Sequence, residues 1–314
     1  MSRKYALIAP CRNEALFARR TLESILAQTA PPALVIVVDD GSTDETPQIL
    51  AEYEAKYDFF RVVRRKNRGE RAVGAGVIDA FYSGYDTLDP GEFDYVCKVD
   101  LDLDLPPRYF EILMDRMEEN PRLGTVSGKP YYLDAAGRKV SERCGDEMSV
   151  GMTKFYRVSC FQQIGGFVRQ VMWDGIDSHR CRMFGWQTAS LDEPEIEFNH
   201  LRPMGSSQQS IWTGRLRSGF GQYFMGTGPL YMLAIAANRV LWPPVLIGAL
   251  GMLVGYVQSA FKRVPRYDEP GFRRFLRAYQ WQCLIRGKVR ATKDLDEKQA
   301  SRWQPGPAVA STSP

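Results

Sequence analysis

No CxxC pair and no metal-finger spacing occur among the six cysteines, Cys11, Cys97, Cys144, Cys160, Cys181 and Cys283. That excludes a thiolate zinc module and a disulfide framework, and it predicts reduced thiols in a cytosolic protein. No signal peptide is expected, because the first apolar run, residues 5–10, is too short for the core of one. An excess of one charge is also missing: 41 Lys and Arg stand against 37 Asp and Glu, a net of +4. A dedicated nucleic-acid binder carries a dominant basic surface, so no nucleic-acid partner is expected. There is no internal repeat, which sets solenoid architectures aside.

What is present is the composition of a folded domain, with 44% apolar, 25% charged and 12% aromatic residues. Disordered, collagen-like and miniprotein classes are thereby excluded. A length of 314 residues accommodates one large α/β core of about 200–250 residues with an appendage, or two domains. The charge is unevenly spread. Residues 262–290 hold nine Lys or Arg and two acids, a local sum of +7, so a mildly acidic body precedes a basic block.

The first half alternates between strand-like and helix-like patterns. Residues 5–9 and 34–38 are short apolar runs that read as buried strands, and 60–63 and 94–99 read as two further strands. Helical spacing is predicted over 14–28 (through Leu16, Leu22, Ile25 and Leu26), 46–56 and 73–85. Such alternation predicts an α/β fold with a mostly parallel sheet, whose ligands bind beyond the carboxyl ends of the strands. The polar turns after Ala9, Val38 and Val99 are therefore where chemistry is expected. The second half, punctuated by Gly165-Gly166-Phe167 and Trp173-Asp174-Gly175, reads as a loop-rich cover on one side of the sheet.

Two acidic clusters fall at those turns. The first is Val37-Val38-Asp39-Asp40-Gly41-Ser42-Thr43-Asp44, where carboxylates can accept from a nucleobase or ribose; an ordinary Asx turn is the plain alternative. In the second, residues 98–106, Asp100 and Asp102 alternate with leucine and so point to one face. Paired carboxylates repel unless a cation lies between them, and hard oxygen ligands suit magnesium or manganese carrying a diphosphate. Asp104 extends the alternation as a third ligand or a solvated turn residue. Arg65, Arg68 and Arg71 are candidates for diphosphate contact, or a solvated basic loop.

The series Pro10-Cys11-Arg12-Asn13-Glu14, residues 24–29 (SILAQT), VVDDGSTD, Asp100-Leu101-Asp102 and Gly165-Gly166-Phe167 resembles the inverting family 2 glycosyltransferases of the GT-A fold, over residues 4–200. The resemblance implies a nucleotide-sugar site built from Pro10, Arg12, Glu14, Asp40, Arg68 and Asp100, with Asp39 organising the turn. It implies a divalent metal, Mg or Mn, on Asp102, with His200 as a further ligand and Arg202 placed to meet a phosphate. Family members often carry an acidic pair after the GGF motif; here the stretch is Trp173-Asp174, so Trp173 stands where Glu is usual. Asp174 is then the catalytic base that deprotonates the acceptor hydroxyl, with Asp177 as second choice or Asp174 simply an N-cap. His179 reads as a surface residue of the same helix. Gln208-Gln209-Ser210-Ile211-Trp212 departs from the QxxRW motif of processive members, which implies transfer of one sugar.

Residues 218–261 carry a single charge, Arg239, and residues 240–257 form an uncharged run of 18. That run has the length of a short span, with Lys262, Arg263 and Arg266 as a basic flank; a re-entrant element or a buried helix fits it too. The expected organisation is a GT-A domain over 1–217, an apolar then basic membrane-associated helical region over 218–300, and a disordered tail over 301–314. The expected activity is sugar transfer from a nucleotide-sugar, most simply a UDP-sugar, to a lipid-linked or cell-surface glycan acceptor in polysaccharide biosynthesis. The place of work would be the cytoplasmic face of the membrane. A nucleotidyltransferase would need a glycine-rich loop after the first strand, which PCRNE lacks; a non-catalytic scaffold on a decayed fold conflicts with the retained carboxylates.

Overall fold

The computed structural model of the chain describes residues 3–69, 74–142, 144–202, 211–240 and 246–304. The first third follows the alternating pattern closely: β1 (Tyr5–Cys11), α1 (Ala18–Leu26), β2 (Leu34–Asp39), α2 (Thr46–Lys56), β3 (Phe60–Arg64), α3 (Ala75–Tyr85) and β4 (Tyr95–Val99). Then come β5 (Leu103–Asp104), α4 (Tyr109–Glu119), β6 (Leu123–Ser127), β7 (Pro130–Leu133), β8 (Lys139–Ser141), β9 (Thr153–Arg157) and α5 (Val158–Gln163). The rest comprises α6 (Trp173–Met183), β10 (Gln187–Ser190), β11 (Phe198–His200), α7 (Ile211–Met225), α8 (Pro229–Arg239), α9 (Ile247–Phe261), α10 (Phe272–Arg286) and α11 (Lys288–Gln299).

Seven strands form the main sheet in the order β10-β6-β9-β4-β1-β2-β3. Its β3-β2-β1-β4 half and the β10-β6 pair are parallel, whereas β9 runs antiparallel to both β4 and β6. A parallel return needs a crossover. Between β6 and β9 the chain makes only β7 and β8 among the described residues, so it re-enters the sheet reversed. A second sheet, β5-β11-β7-β8, replaces part of the loop-rich cover that the sequence pattern suggested. Successive residues of each central strand feed opposite layers, as period-two geometry requires. Leu7, Val35, Val37 and Cys97 pack with Phe110 and Phe155 on one face, and Ile8, Ile36 and Val38 pack with Phe81 and Phe161 on the other.

Helix α1 starts later than its spacing predicts. The backbone from Glu14 to Phe17 turns first, and Leu16 stays 90% exposed instead of joining the core. The apolar segment after residue 217 is divided: α8 ends at Arg239 and α9 begins at Ile247. The expected span-length helix over residues 240–257 is therefore not formed. Among the described residues, no helix is long and apolar enough to cross a membrane. Small residues explain how α7 and α9 pair: a Cβ on Gly255 would lie 2.1 Å from the Leu216 carbonyl oxygen, and one on Gly219 would lie 2.0 Å from that of Met252. The two backbones are in contact.

The chain beyond the basic block folds back on the sheet domain. Arg182 of α6 donates to Asp296 of α11 at 2.9 Å, and Arg122 donates to the Asp296 carbonyl at 2.6 Å. Beyond α11, residues Ala300–Arg302 make a 3-10 turn, and Trp303 stands edge-on to Trp186 with ring centroids 5.8 Å apart. The start of the segment expected to be a disordered tail is thus docked; residues 305–314 lie outside the described residues.

Candidate active site

Three loops meet at the carboxyl ends of β1, β2 and β4. The first two are laced together. Pro10 is buried in register with Val38, and the Arg12 guanidinium donates to the Asp40 carbonyl at 3.0 Å and to Asn67 Oδ1 at 2.7 Å. Asn13, at φ 55°, accepts from the Thr43 amide, and the Glu14 amide donates to Thr46 Oγ1. Asp39 organises its turn as expected, accepting from the Ser42 amide at 2.9 Å. Within that turn Gly41 sits at φ 75°, and a Cβ there would lie 2.4 Å from the Asn67 Cα. Only glycine lets the loop after β3 lie on this turn.

That loop places two arginines on the carboxylate of Asp40. Arg65 donates to Oδ1 at 2.9 Å and Arg68 pairs with Oδ2. Asp40, expected at the base, and Arg68, expected at the donor, are thus in one ion-paired group. Arg71 lies outside the described residues.

Beyond β4, Leu101 points inward and Asp100 and Asp102 point to the site. Lys98 Nζ donates to Asp100 Oδ1 at 2.5 Å and to the Gly151 carbonyl at 2.9 Å. Asp102 is 4% exposed, with Oδ2 receiving Arg202 Nε at 2.6 Å and lying 3.5 Å from His200 Nε2. Its other oxygen, Oδ1, is buried without a hydrogen-bond partner. Burial pushes the Asp102 carboxyl up, but His200 and Arg202 outweigh it and hold the group below its usual range. Burial alone would lower His200; its bonds to Asp102 and Glu142 instead raise it to about 9. His200 Nδ1 faces Glu142 at 2.8 Å, which aims Nε2 at Asp102. A carboxylate that fixes one imidazole nitrogen while the other faces a site is the usual support of a metal-binding histidine. Asp104 is not part of this group; it pairs with Arg20 at 2.7 Å on the rim.

Glutamates and aspartates around Asp102 do not form a complete cage. Among the described residues, no group of three or more His, Cys, Asp or Glu side chains is arranged to hold a metal. Asp102 and His200 nonetheless fit one: a buried oxygen lacks a donor, and an oriented imidazole nitrogen lies beside it. Substrate oxygens complete such coordination when a cation is carried by a diphosphate.

Asp174 lies in the first turn of α6, half-buried, where the helix dipole favours a carboxylate. The N-cap is Met172 at φ 64°, so the N-cap reading of Asp174 is not met. Its Oδ2 lies 3.1 Å from the position a Cβ on Gly151 would take, which brings it beside the backbone that Lys98 holds. Asp177 is elsewhere. Both its oxygens receive Lys154 Nζ at 2.6 Å, Tyr156 donates at 2.5 Å, and neither Lys154 nor Asp177 has an exposed side-chain atom. A carboxylate so sealed has no access to an acceptor. His179 is also buried, not on the surface, and burial among cations lowers it to about 3.

Two site residues were not singled out by the sequence reading. Lys98 and Lys154 face each other across the β4–β9 ladder, and their ammonium groups lie 5.3 and 5.7 Å from the ring centroid of Trp173. The signal available was a lysine inside each of two otherwise strand-like runs. Gln208, Gln209 and Ser210 of the segment compared with the QxxRW motif lie outside the described residues.

An α/β sheet with acidic loops at its carboxyl ends and an antiparallel β9 is the GT-A type of architecture, and solved structures agree. A mannosyltransferase from Pyrobaculum calidifontis in complex with GDP-Man and Mn2+ superposes with a TM-score of 0.52 at 17% identity, covering 95% of this chain and 85% of that one. GalNAc-T7 with UDP, GalNAc and Mn2+ gives 0.55 at 11% identity, covering 96% and 58%. The sequence model described as Glycosyl transferase family 2 matches residues 6–173, more than half of the chain, and the chain belongs to that family of glycosyltransferases. A curated relative is the poly-beta-1,6-N-acetyl-D-glucosamine synthase of Staphylococcus epidermidis, 29% identical over 126 residues. That alignment covers 40% of this chain and 28% of the synthase, so the chain matches little more than a quarter of its relative's length.

Proposed function

We propose that the chain moves a sugar from a nucleotide-sugar, a UDP-sugar in the simplest reading, to an acceptor hydroxyl with inversion. The observation that carries this is Asp102, a buried carboxylate at the end of β4 with one oxygen lacking a donor and an oriented His200 beside it. Asp102 and His200 would hold a magnesium or manganese ion, which when bound supplies positive charge to the departing diphosphate. Pro10, Arg12, Glu14, Asp40, Arg68 and Asp100 form the nucleotide-sugar side, and Asp174 takes the acceptor proton. Support for the UDP choice comes from relatives: Staphylococcus aureus TarS 1-349 was solved with UDP-GlcNAc (16% identity, TM-score 0.50, covering 95% of this chain and 90% of that one). The synthase of S. epidermidis is named for an N-acetylglucosamine polymer, which supports a glycan acceptor and polysaccharide biosynthesis.

In this reading residues 1–217 are the catalytic unit and 218–300 the part that meets a lipid surface at the cytoplasmic face. The apolar stripe of α9, with Ile247, Leu250, Val257 and Phe261 exposed, and Trp281 and Ile285 on α10 support contact with the interface instead of a span. The basic block adds attraction to anionic headgroups. A thermal-shift screen of UDP-, GDP- and dTDP-sugars with Mn2+ tests the donor: UDP-sugars alone should stabilise the protein, and stabilisation by GDP-sugars only would replace that choice. Flotation with anionic vesicles tests the surface, and Leu250→Asp with Phe261→Asp should abolish it.

A further inference from the structure

Arg202, two residues past β11, shares its guanidinium between two carboxylates from different loops. Nε donates to Asp102 Oδ2 at 2.6 Å and Nη2 donates to Glu14 Oε1 at 2.7 Å, while the guanidinium carbon lies 5.5 Å from the Phe17 ring centroid. The carboxylates are 5% and 4% exposed, whereas the arginine side chain keeps 21% of its surface in solvent. Buried carboxylates need counter-charge, and a guanidinium fork supplies it through separate nitrogens. Here each nitrogen serves a different carboxylate. The bond to Asp102 can therefore break while the bond to Glu14 persists.

We propose that Arg202 is a resident counter-ion for the metal site: it holds Asp102 in the protein alone, yields that carboxylate to an incoming divalent cation, and turns its freed N–H to the diphosphate. This rests on the reading of Asp102 as a metal ligand. The competition is local and direct. Of the two Asp102 oxygens, Oδ1 is buried without a donor and ready for a cation, and Oδ2 is the one Arg202 grips. A bare cation that takes both oxygens must displace a charge-assisted hydrogen bond with no replacement partner for the arginine. A cation arriving with a diphosphate brings that partner. Arg202 thereby couples metal affinity to nucleotide affinity, and by linkage the coupling acts in both directions.

The test is Mn2+ binding to the full chain, read by the EPR signal of free Mn2+, with and without UDP. Arg202→Met should bind Mn2+ alone about tenfold more tightly than the wild type, and UDP should tighten it further by a smaller factor than in the wild type. Arg202→Lys, which keeps a charge there, should stay close to the wild type for Mn2+ alone. Equal or weaker Mn2+ binding by Arg202→Met overturns the proposal. Melting in EDTA and in Mn2+ covers a folding defect. If Arg202→Met melts lower in EDTA and Mn2+ restores it more than it shifts the wild type, the counter-ion role stands; an equal shift in both makes the arginine merely structural and overturns it. If neither protein binds Mn2+ with or without UDP, the metal site itself is wrong and the proposal falls with it.

Discussion

Lys154 places its ammonium 2.6 Å from both oxygens of Asp177, and neither side chain touches solvent. The pair joins β9 to α6, and the same ammonium donates to the Asp174 carbonyl at 2.9 Å. It therefore sets where the first turn of α6, with Asp174 on it, lies over the sheet. Removing one partner strands a buried charge, which costs about 3–5 kcal/mol. Lys154→Met should lose that much stability in urea unfolding, and Lys154→Met with Asp177→Leu should recover most of it. A single variant as stable as the wild type would show the pair to be idle.

Trp173 lies over two ammonium groups, those of Lys98 and Lys154, and against Phe167 at 4.8 Å between centroids. Trp173→Ala should cost about 3–5 kcal/mol, from lost packing and lost cation–π attraction. Trp173→Glu should cost at least as much as alanine, because it buries a carboxylate beside ammonium groups that Asp100 and Asp177 already neutralise. Thermal melts of the two variants decide this, and a glutamate variant more stable than alanine contradicts it.

His179 is buried against Phe272 and Tyr279, its Nδ1 lacks a hydrogen-bond partner, and the charges facing it are Arg182, Lys288 and Lys154. Burial first, then those cations, lowers its pKa from 6.5 to about 3. Between those values the unfolded chain binds the proton and the folded one does not, so stability is full above 6.5 and falls as the pH falls toward 3. From pH 6.5 to 5 this group alone should remove roughly 1.5 kcal/mol. His179→Phe should flatten that part of the stability profile, measured by urea unfolding at each pH. An unchanged slope would mean the imidazole is protonated in the fold.

Much of the fold was legible because the parallel half obeys local rules. Residues 34–38 are apolar without a break since both faces of β2 are covered, and α2 runs from Thr46 to Lys56 as its spacing predicted. The reversal of β9 was not legible, because strand direction depends on the path between strands and not on their composition. Helix length after residue 217 failed for a related reason: the uncharged run is continuous in sequence, yet α8 and α9 are separate helices, and α9 packs through its glycines on α7. At the site, the acidic residues were visible as clusters at strand ends. Their partners were not. Lys154 and Glu142 reach Asp177 and His200 through tertiary contacts that no spacing encodes.

The most direct test of the account is the rate of sugar transfer by Asp174→Asn compared with its binding of UDP and Mn2+. Asp174 sits beside Gly151 and is not among the groups that pair with Asp102 or His200, so its loss should leave UDP and Mn2+ binding near the wild-type level. General-base assistance contributes about 10²–10⁴-fold, so transfer from the preferred donor should fall by that factor. Binding retained with transfer lost in that range is the predicted result. Transfer at the wild-type rate would contradict the assignment of the base and, with it, the proposed mechanism.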